Sequence, residues 1–169
     1  EKGGLEKFLH PAGYSAGEDF KGKEPGSNGL ALDKDGKLIL CQHGDRCIAR
    51  LNKERKFEVL AGKYMGKRFN SPNDLVYRSD GVLYFTDPPF GLPEAFEDPK
   101  RELPFSGVFM VRDGVVSLVT DALAGPNGLA FSPDERHLYV GNWDPQHKVV
   151  MRYDAAADGT VFDGEIFYD

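Results

Sequence analysis

The sequence predicts an all-β protein, a β-propeller of which this chain covers about three to four blades. Two observations support this fold class. A unit of strand, tight turn and strand recurs three times, and no stretch shows the apolar period of an amphipathic helix. The units start 45 and 54 residues apart, close to the roughly 40 to 50 residues of a four-stranded blade. We expect residues 1–169 to form a single partial propeller domain.

The three units begin at Asn28, Asn73 and Asn127 and share one register. A leucine follows each asparagine by two positions and an aspartate follows it by seven. The first two units carry Asp-Gly in the turn, and glycine accepts the positive φ that two-residue hairpins demand. The third unit has Asp134-Glu135-Arg136-His137 there, which predicts a turn longer by one residue. Short β-rich runs between the units complete the blades, at 47–51, 56–60, 107–111, 115–119 and 149–153.

The longer second interval contains a segment rich in proline and charge, Pro88 to Pro104. We interpret it as a loop inserted on one face of the propeller. Its residues Phe90, Pro93 and Phe96, together with Trp143, can shape a lid over a substrate. They can equally be ordinary packing loops.

The length is short for a closed ring. Propellers close with four to eight blades, and 169 residues make fewer than four blades of about 45 residues. We therefore expect this chain to be a piece of a longer polypeptide. A compact four-bladed ring and a ring completed by a second copy, a homo-oligomer, are the alternatives. Because an open ring exposes strand edges, some partner is expected.

Composition and charge exclude several classes of function. No apolar run approaches the roughly 20 residues of a membrane helix, so we expect a soluble protein with no membrane partner. A net charge of −6 and the lack of a basic tract argue against a nucleic-acid partner. No export signal is visible, which leaves cytoplasm and periplasm open. Cys41 and Cys47 flank a predicted turn, and free thiols are favoured over a disulfide.

The equivalent asparagines Asn28, Asn73 and Asn127 predict a binding site at the central channel. The innermost strand of each blade runs along that channel, so equivalent positions bring their amide oxygens toward one axis. Oxygen ligands suit Ca²⁺, which takes six to eight of them. The alternative is that each asparagine only caps a turn.

Longer motifs resemble the gluconolactonase/regucalcin (senescence marker protein) family over most of residues 25–169. They are Gly66-Lys-Arg-Phe-Asn-Ser-Pro-Asn-Asp-Leu-Val, Tyr84-Phe-Thr-Asp-Pro-Pro-Phe-Gly-Leu, and Gly125-Pro-Asn-Gly-Leu-Ala-Phe-Ser-Pro-Asp with Leu138-Tyr-Val. The resemblance implies a six-bladed propeller that holds one divalent cation, Ca²⁺ ahead of Zn²⁺, at the channel mouth. It also implies hydrolysis of lactones, while relatives of the fold cleave organophosphates.

The resemblance assigns roles to individual residues. Asn127 matches the family's metal-ligating asparagine, and Asn73 matches an asparagine that sits at the metal or touches substrate through it. The family's other ligands, a glutamate of a Glu-Gly-Pro motif and a later aspartate, have no match in the chain. Glu24-Pro25-Gly26 has those letters in another order, and we do not take Glu24 as that ligand.

Further candidates follow from residue chemistry. His43 suits a proton-handling or substrate-contacting role because histidine titrates near neutral pH, although a loop histidine is often only a polar surface group. Asp87 is a candidate catalytic group lining the channel, or an ordinary turn starter before proline. Arg68 and Asn28 are candidate contacts for a sugar-like substrate, with a solvated loop charge as the alternative for Arg68. Asn142 is a weaker candidate that would face the channel.

The leading hypothesis is a metal-dependent hydrolase of a sugar lactone, in which a metal-activated water attacks the lactone carbonyl. The general base would be a carboxylate at the metal, matching the absent aspartate. One alternative is a non-catalytic propeller that binds calcium or a protein as a platform. Another keeps an enzyme but makes it a phosphotriester hydrolase.

Overall fold

A computed structural model describes residues 4–17, 19–22 and 24–169. It contains three four-stranded antiparallel sheets and one two-stranded hairpin. The first sheet is β1 (Ser27–Leu32), β2 (Leu38–Gln42), β3 (Cys47–Leu51) and β4 (Phe57–Ala61), followed by the hairpin β5 (Lys63–Tyr64) and β6 (Lys67–Arg68). The second is β7 (Leu75–Tyr77), β8 (Leu83–Asp87), β9 (Gly107–Arg112) and β10 (Val115–Thr120). The third is β11 (Pro126–Phe131), β12 (His137–Asn142), β13 (Val149–Ala155) and β14 (Val161–Tyr168).

Each four-stranded sheet is one propeller blade. Its strands pair with their neighbours in chain order, and the first strands of successive blades contact one another, β1 with β7 and β7 with β11. The prediction of an all-β, partial propeller is therefore confirmed, with three blades. The segment between β8 and β9 is the predicted inserted loop, and within it only residues Ala95–Glu97 form a 3₁₀ turn.

The turns inside the blades correct one expectation. In the first unit the amide of Gly36 donates to the carbonyl of Asp33, and Asp33 N–H donates to Lys37 O. Three residues, 34–36, separate Asp33 from Lys37, and the last of them, Gly36, has φ +73°, so the predicted two-residue hairpin was wrong. In such a turn the glycine adopts the left-handed backbone conformation and forms a β-bulge at the start of the next strand.

The third turn is longer by one residue, as predicted. Ser132 N–H donates to the carbonyl of His137, five positions on, whereas the first turn closes over four. Glu135 takes the positive φ, +55°, at the place that glycine fills in the other two turns.

The core lies between the blades. Phe69, Phe85 and Phe109 are fully buried between the first and second blades, with ring centroids 5.0 to 5.5 Å apart. Between the second and third blades Tyr84 packs with Leu138, and its hydroxyl donates to the carbonyl of Gly159. Strand β8 is buried along its whole length because both of its faces meet another blade.

Asp74 links the inner strands of the second and third blades. Its Oδ2 accepts from the amide of Leu129 at 3.2 Å. A Cβ on Gly29 would lie 2.6 Å from Asp74 Oδ1, whereas a Cβ on Gly128 would lie 3.7 Å from Asp74 Oδ2. Gly29, which follows Asn28, therefore leaves room for Asp74, which follows Asn73.

A second set of links joins the same two blades at their turns. The amide and hydroxyl of Ser79 donate to the carboxylate of Glu135 at 2.7 and 2.6 Å. The Arg78 guanidinium donates to the carbonyls of Ala156 and Ala157. These contacts fix the spacing of the blades at the end opposite the asparagines.

Cys41 and Cys47 are buried and unbonded to each other, so the favoured interpretation as free thiols is confirmed. Cys47 pairs with Gln42 across the hairpin rather than with Cys41. Burial raises the pKa of the Cys47 thiol to about 12, and that of Cys41 well above its usual value. No helix among the described residues is long and apolar enough to cross a bilayer.

The spacing around Asp74 predicts unequal effects of two matched substitutions. Gly29→Ala should lower the free energy of unfolding by about 1 to 3 kcal/mol, because the new methyl group overpacks against Asp74. Gly128→Ala, at the equivalent position of the third unit, should change it by less than about 1 kcal/mol. Urea unfolding of both variants checks this. Equal effects would contradict the assigned role of Asp74.

Candidate functional site at the inner strands

The three repeat asparagines lie on neighbouring backbones. Asn28 is in β1, Asn127 is in β11, and Asn73 precedes β7 by two residues. Gly29 N–H donates to the carbonyl of Asn73 at 2.7 Å. Thr86 connects Asn73 with Asn127. Its carbonyl accepts a hydrogen bond from Asn73 N–H and its hydroxyl donates one to Asn127 O, both at 2.8 Å. The structure thus brings the backbones of the three predicted positions together.

Two of these asparagines have side-chain amides that make no hydrogen bond to any residue that the structure describes. Asn73 is only 4% exposed, and Asn127 is half-buried. Neither amide is among the fully buried polar atoms that lack a partner, so both amides still reach solvent. Amide groups in this condition are suited to bind a ligand.

Asn73 and Asn127 fit a metal site only in part. Their amide oxygens are of the kind that Ca²⁺ accepts, but Ca²⁺ takes six to eight oxygen ligands and prefers carboxylates among them. Within residues 4–17, 19–22 and 24–169 no group of three or more His, Cys, Asp or Glu residues is arranged to hold a metal ion. The donor type fits, and the donor number does not.

His43 lies in the turn after β2 and is 1% exposed. Its Nδ1 is 3.2 Å from Oε2 of Glu24, and its Nε2 is 3.2 Å from Nδ2 of Asn28. Burial lowers the pKa of His43, although Glu24 opposes this shift. The lowered pKa favours the neutral ring, and both ring nitrogens are in contact with polar groups.

Arg68 and His43 line the same cavity, which has a volume of about 340 Å³. Arg68 lies at the end of β6, and its guanidinium donates to the carbonyl of Asp45 at 3.1 Å. Its amide donates to the Glu102 carboxylate at 2.7 Å. Tyr14, Phe20, Lys21 and Lys100 also line this cavity. The predicted role of Arg68 in substrate binding remains a prediction.

Asn127 lines a different cavity, of about 300 Å³, together with Asn142 and Trp143. Both polar atoms of the Asn142 side-chain amide make hydrogen bonds. Its Oδ1 accepts from Gly125 N–H at 2.9 Å, and its Nδ2 donates to His147 O at 2.8 Å. Asn142 therefore holds two loops together, in contrast to the expected channel-facing role.

Asp87 is fully buried at the end of β8. Its two carboxylate oxygens accept from the backbone amides of Asn70 and Ser71 at 2.7 and 2.9 Å. Burial raises the pKa of Asp87 to about 7, against the lowering effect of those hydrogen bonds and of the Arg46 and Arg101 charges. These contacts are those of a structural group that fixes the segment before Asn73, and the catalytic role remains a prediction without a contact to support it.

Three residues of this network were not singled out from the sequence. Ser71 Oγ donates to Pro88 O at 2.6 Å and accepts from Gly91 N–H at 2.9 Å. Arg46, with positive φ, donates to the carbonyls of Phe69 and Lys100. Asn70 donates from its side chain to the carbonyls of Asp87 and Phe105. The Asn-Ser-Pro-Asn motif was a signal for two of them, while Arg46 had none.

The aromatic residues of the predicted lid form one cluster. Phe90 makes edge-to-face contacts with Phe96 and Trp143, at centroid distances of 5.9 and 5.5 Å. Trp143 remains 54% exposed. The inserted loop thus packs against the loop after β12 through Phe90, while Pro93 lines the cavity that contains His43 and Arg68. Its function as a lid remains a prediction.

The three blades, whose first strands contact one another, define a partial β-propeller. The family model described as SMP-30/Gluconolactonase/LRE-like region matches residues 7–169. The chain belongs to this family, and the resemblance seen in its motifs is confirmed.

Known relatives agree with this assignment. The chain is 41% identical over 162 residues to a gluconolactonase of Zymomonas mobilis, covering 92% of this chain and 45% of that protein. It superposes on a gluconolactonase structure from Xanthomonas campestris with a TM-score of 0.75 and 38% identity, over 85% of this chain and 48% of that one. A luciferin-regenerating enzyme, 18% identical with a TM-score of 0.62, shares the fold over 85% of this chain and 47% of its own. The chain spans about half the length of these gluconolactonases.

The burial of Asp87 predicts a pH dependence of stability. Its carboxyl group titrates near 3.8 when unfolded and near 7 when folded, so between pH 4 and 7 the folded state holds a proton that the unfolded state has lost. The free energy of unfolding should fall as pH rises through this window, by at most about 1.4 kcal/mol per pH unit. Asp87→Asn should lack this contribution. Parallel urea titrations at pH 4 to 8 test it, and equal pH slopes for the two proteins would contradict it.

Proposed function

We propose that the propeller to which this chain belongs hydrolyses a sugar lactone, with a divalent cation, Ca²⁺ ahead of Zn²⁺, bound in part by Asn73 and Asn127. The observation that supports it most is the pair of Asn73 and Asn127, in neighbouring blades, whose amides bond to no residue that the structure describes. The 41% identity to a gluconolactonase supports the choice of a lactone as substrate. When bound, such a cation polarises the lactone carbonyl and lowers the pKa of a water molecule.

The residues of this chain would bind and orient the substrate. Arg68 offers hydrogen-bond donors at the cavity that His43 also lines. Asn28, beside His43, offers an amide to a sugar hydroxyl. The cluster of Phe90, Phe96 and Trp143 supplies an apolar rim that would limit access of water.

The proposal also requires groups beyond residues 1–169. A carboxylate general base and negatively charged ligands must come from further blades or from a second copy of the chain. Asp74, the carboxylate next to Asn73 in sequence, already accepts backbone amides from Leu75 and Leu129. Coordination of a cation by Asp74 would compete with these two hydrogen bonds.

Hydrolysis of glucono-1,5-lactone by the chelator-treated protein, before and after addition of Ca²⁺ or Zn²⁺, tests the proposed function. We expect turnover that depends on added metal and falls at least tenfold in Asn127→Ala, because an inner-strand amide is lost. Gln146→Ala, which removes an exposed amide from the loop after β12, is the matched control.

The outcomes separate the candidate functions. Binding of Ca²⁺ that Asn127→Ala weakens, without turnover of lactone, would favour the calcium-binding platform over the enzyme. Turnover of a phosphotriester and not of the lactone would favour the phosphotriester hydrolase. Activity that is equal in Asn127→Ala and Gln146→Ala would contradict the proposed site.

A further inference from the structure

His43 connects an exposed carboxylate to one of the inner-strand asparagines. The Glu24 side chain is 60% exposed and its Oε2 lies 3.2 Å from Nδ1 of the buried ring. On the other side of the ring, Nε2 lies 3.2 Å from Nδ2 of Asn28. The ring is thus the middle member of a three-residue chain that leads from the surface to the start of β1.

The backbone holds this arrangement in place. His43 N–H donates to the carbonyl of Gly26, two residues after Glu24, at 3.3 Å. Gly91 lies against the ring, since a Cβ there would be 3.1 Å from Cβ and Cγ of His43. The ring is therefore confined between the segment that bears Glu24 and the inserted loop.

With a neutral ring and an ionised carboxylate, the two contacts allow one arrangement of protons. An ionised carboxylate can only accept hydrogen bonds, so Nδ1 of His43 carries the proton that faces Glu24. A neutral ring protonated at Nδ1 has only a lone pair on Nε2. Asn28 must then turn its NH₂ group toward that lone pair.

The orientation of the amide decides what Asn28 offers to a ligand. Its Nδ2 and Oδ1 are bonded to the same carbon, so Oδ1 points away from His43. No residue that the structure describes donates a hydrogen bond to this oxygen. An oxygen held in that way is an acceptor for a hydroxyl group.

We propose that Glu24 and His43 form a positioning relay that fixes the Asn28 amide with its oxygen presented to a hydroxyl group of a bound polyol. His43 is then a positioning residue, and its predicted role in proton transfer is replaced by one in orientation. The identity of the polyol as a sugar lactone rests on the proposed function. The orientation of the ring and of the amide does not depend on it.

The tautomer of His43 tests the relay directly. In protein labelled with ¹⁵N at histidine, two-bond ¹H–¹⁵N spectra distinguish a ring protonated at Nδ1 from one protonated at Nε2. We expect the Nδ1–H form for His43 at pH 7. The exposed His147 in the same sample is an internal reference. A His43 ring protonated at Nε2, or at both nitrogens, would overturn the proposal.

Variants at Glu24 separate positioning from simple packing. Glu24→Ala should release the ring, so that the Nε2–H form appears and the Asn28 side-chain NH₂ signals shift. Glu24→Gln should retain the Nδ1–H form, because the amide carbonyl still accepts. Glu54→Gln, which removes an exposed carboxylate with no contact to the ring, is the matched control. An unchanged His43 spectrum in Glu24→Ala would overturn the relay.

Kinetics add a readout that depends on substrate. Glu24→Ala should raise KM for glucono-1,5-lactone about fivefold, the effect of one weakened hydrogen bond, with kcat unchanged. Glu24→Gln should restore KM. A fall in kcat at constant KM would contradict the positioning role. A protein that hydrolyses no lactone counts against the proposed function, while the tautomer measurement still decides the relay.

Discussion

The contact between inner strands is the constraint on which the rest of the site depends. The Asp74 carboxylate accepts a hydrogen bond from the backbone amide of Leu129 in the third blade. The backbone amide of Gly29, in the first blade, donates to the carbonyl of Asn73, the residue before Asp74. Thr86 extends the same chain of hydrogen bonds to Asn127. The spacing of the asparagine positions therefore depends on backbone hydrogen bonds at Gly29 and Asn73 and on the side chains of Asp74 and Thr86. A displacement of one blade would separate the amides that are suited to share a ligand.

The buried polar groups divide into those that hold the backbone and those that remain free. Asp87 fixes the segment before Asn73, and Asn142 fixes the loops on either side of Trp143. Buried groups of this kind are costly to leave unpaired, so their substitution would disturb the site indirectly. Asn73 and Asn127 differ because their amides bond to no described residue. This division is a better guide to function than burial or residue type alone.

The sequence predicts the fold well and the site unevenly. The repeat register located every blade and the inserted loop, because hairpin signals are local and each unit repeats them. The turns that contain Asp-Gly have one residue more than predicted. The dipeptide alone does not reveal the hydrogen bond from the amide of Gly36 to the carbonyl of Asp33. The roles of Asp87 and Asn142 depend on contacts with distant segments. Nothing in the local sequence distinguishes an aspartate that holds two backbone amides from one that meets a ligand.

The three described blades offer a cation neutral amides more readily than negative charge. Asp74 and Asp87 are the carboxylates that bond to the segments around Asn73, and both accept backbone amides that fix those segments. Each carboxylate oxygen keeps a second lone pair, so a hydrogen bond from one backbone amide does not exclude coordination of a cation. Coordination would nevertheless weaken the hydrogen bonds that hold the segments around Asn73. The amides of Asn73 and Asn127 carry no such cost, so the described residues supply neutral oxygens most readily, and a divalent cation would need further negative charge.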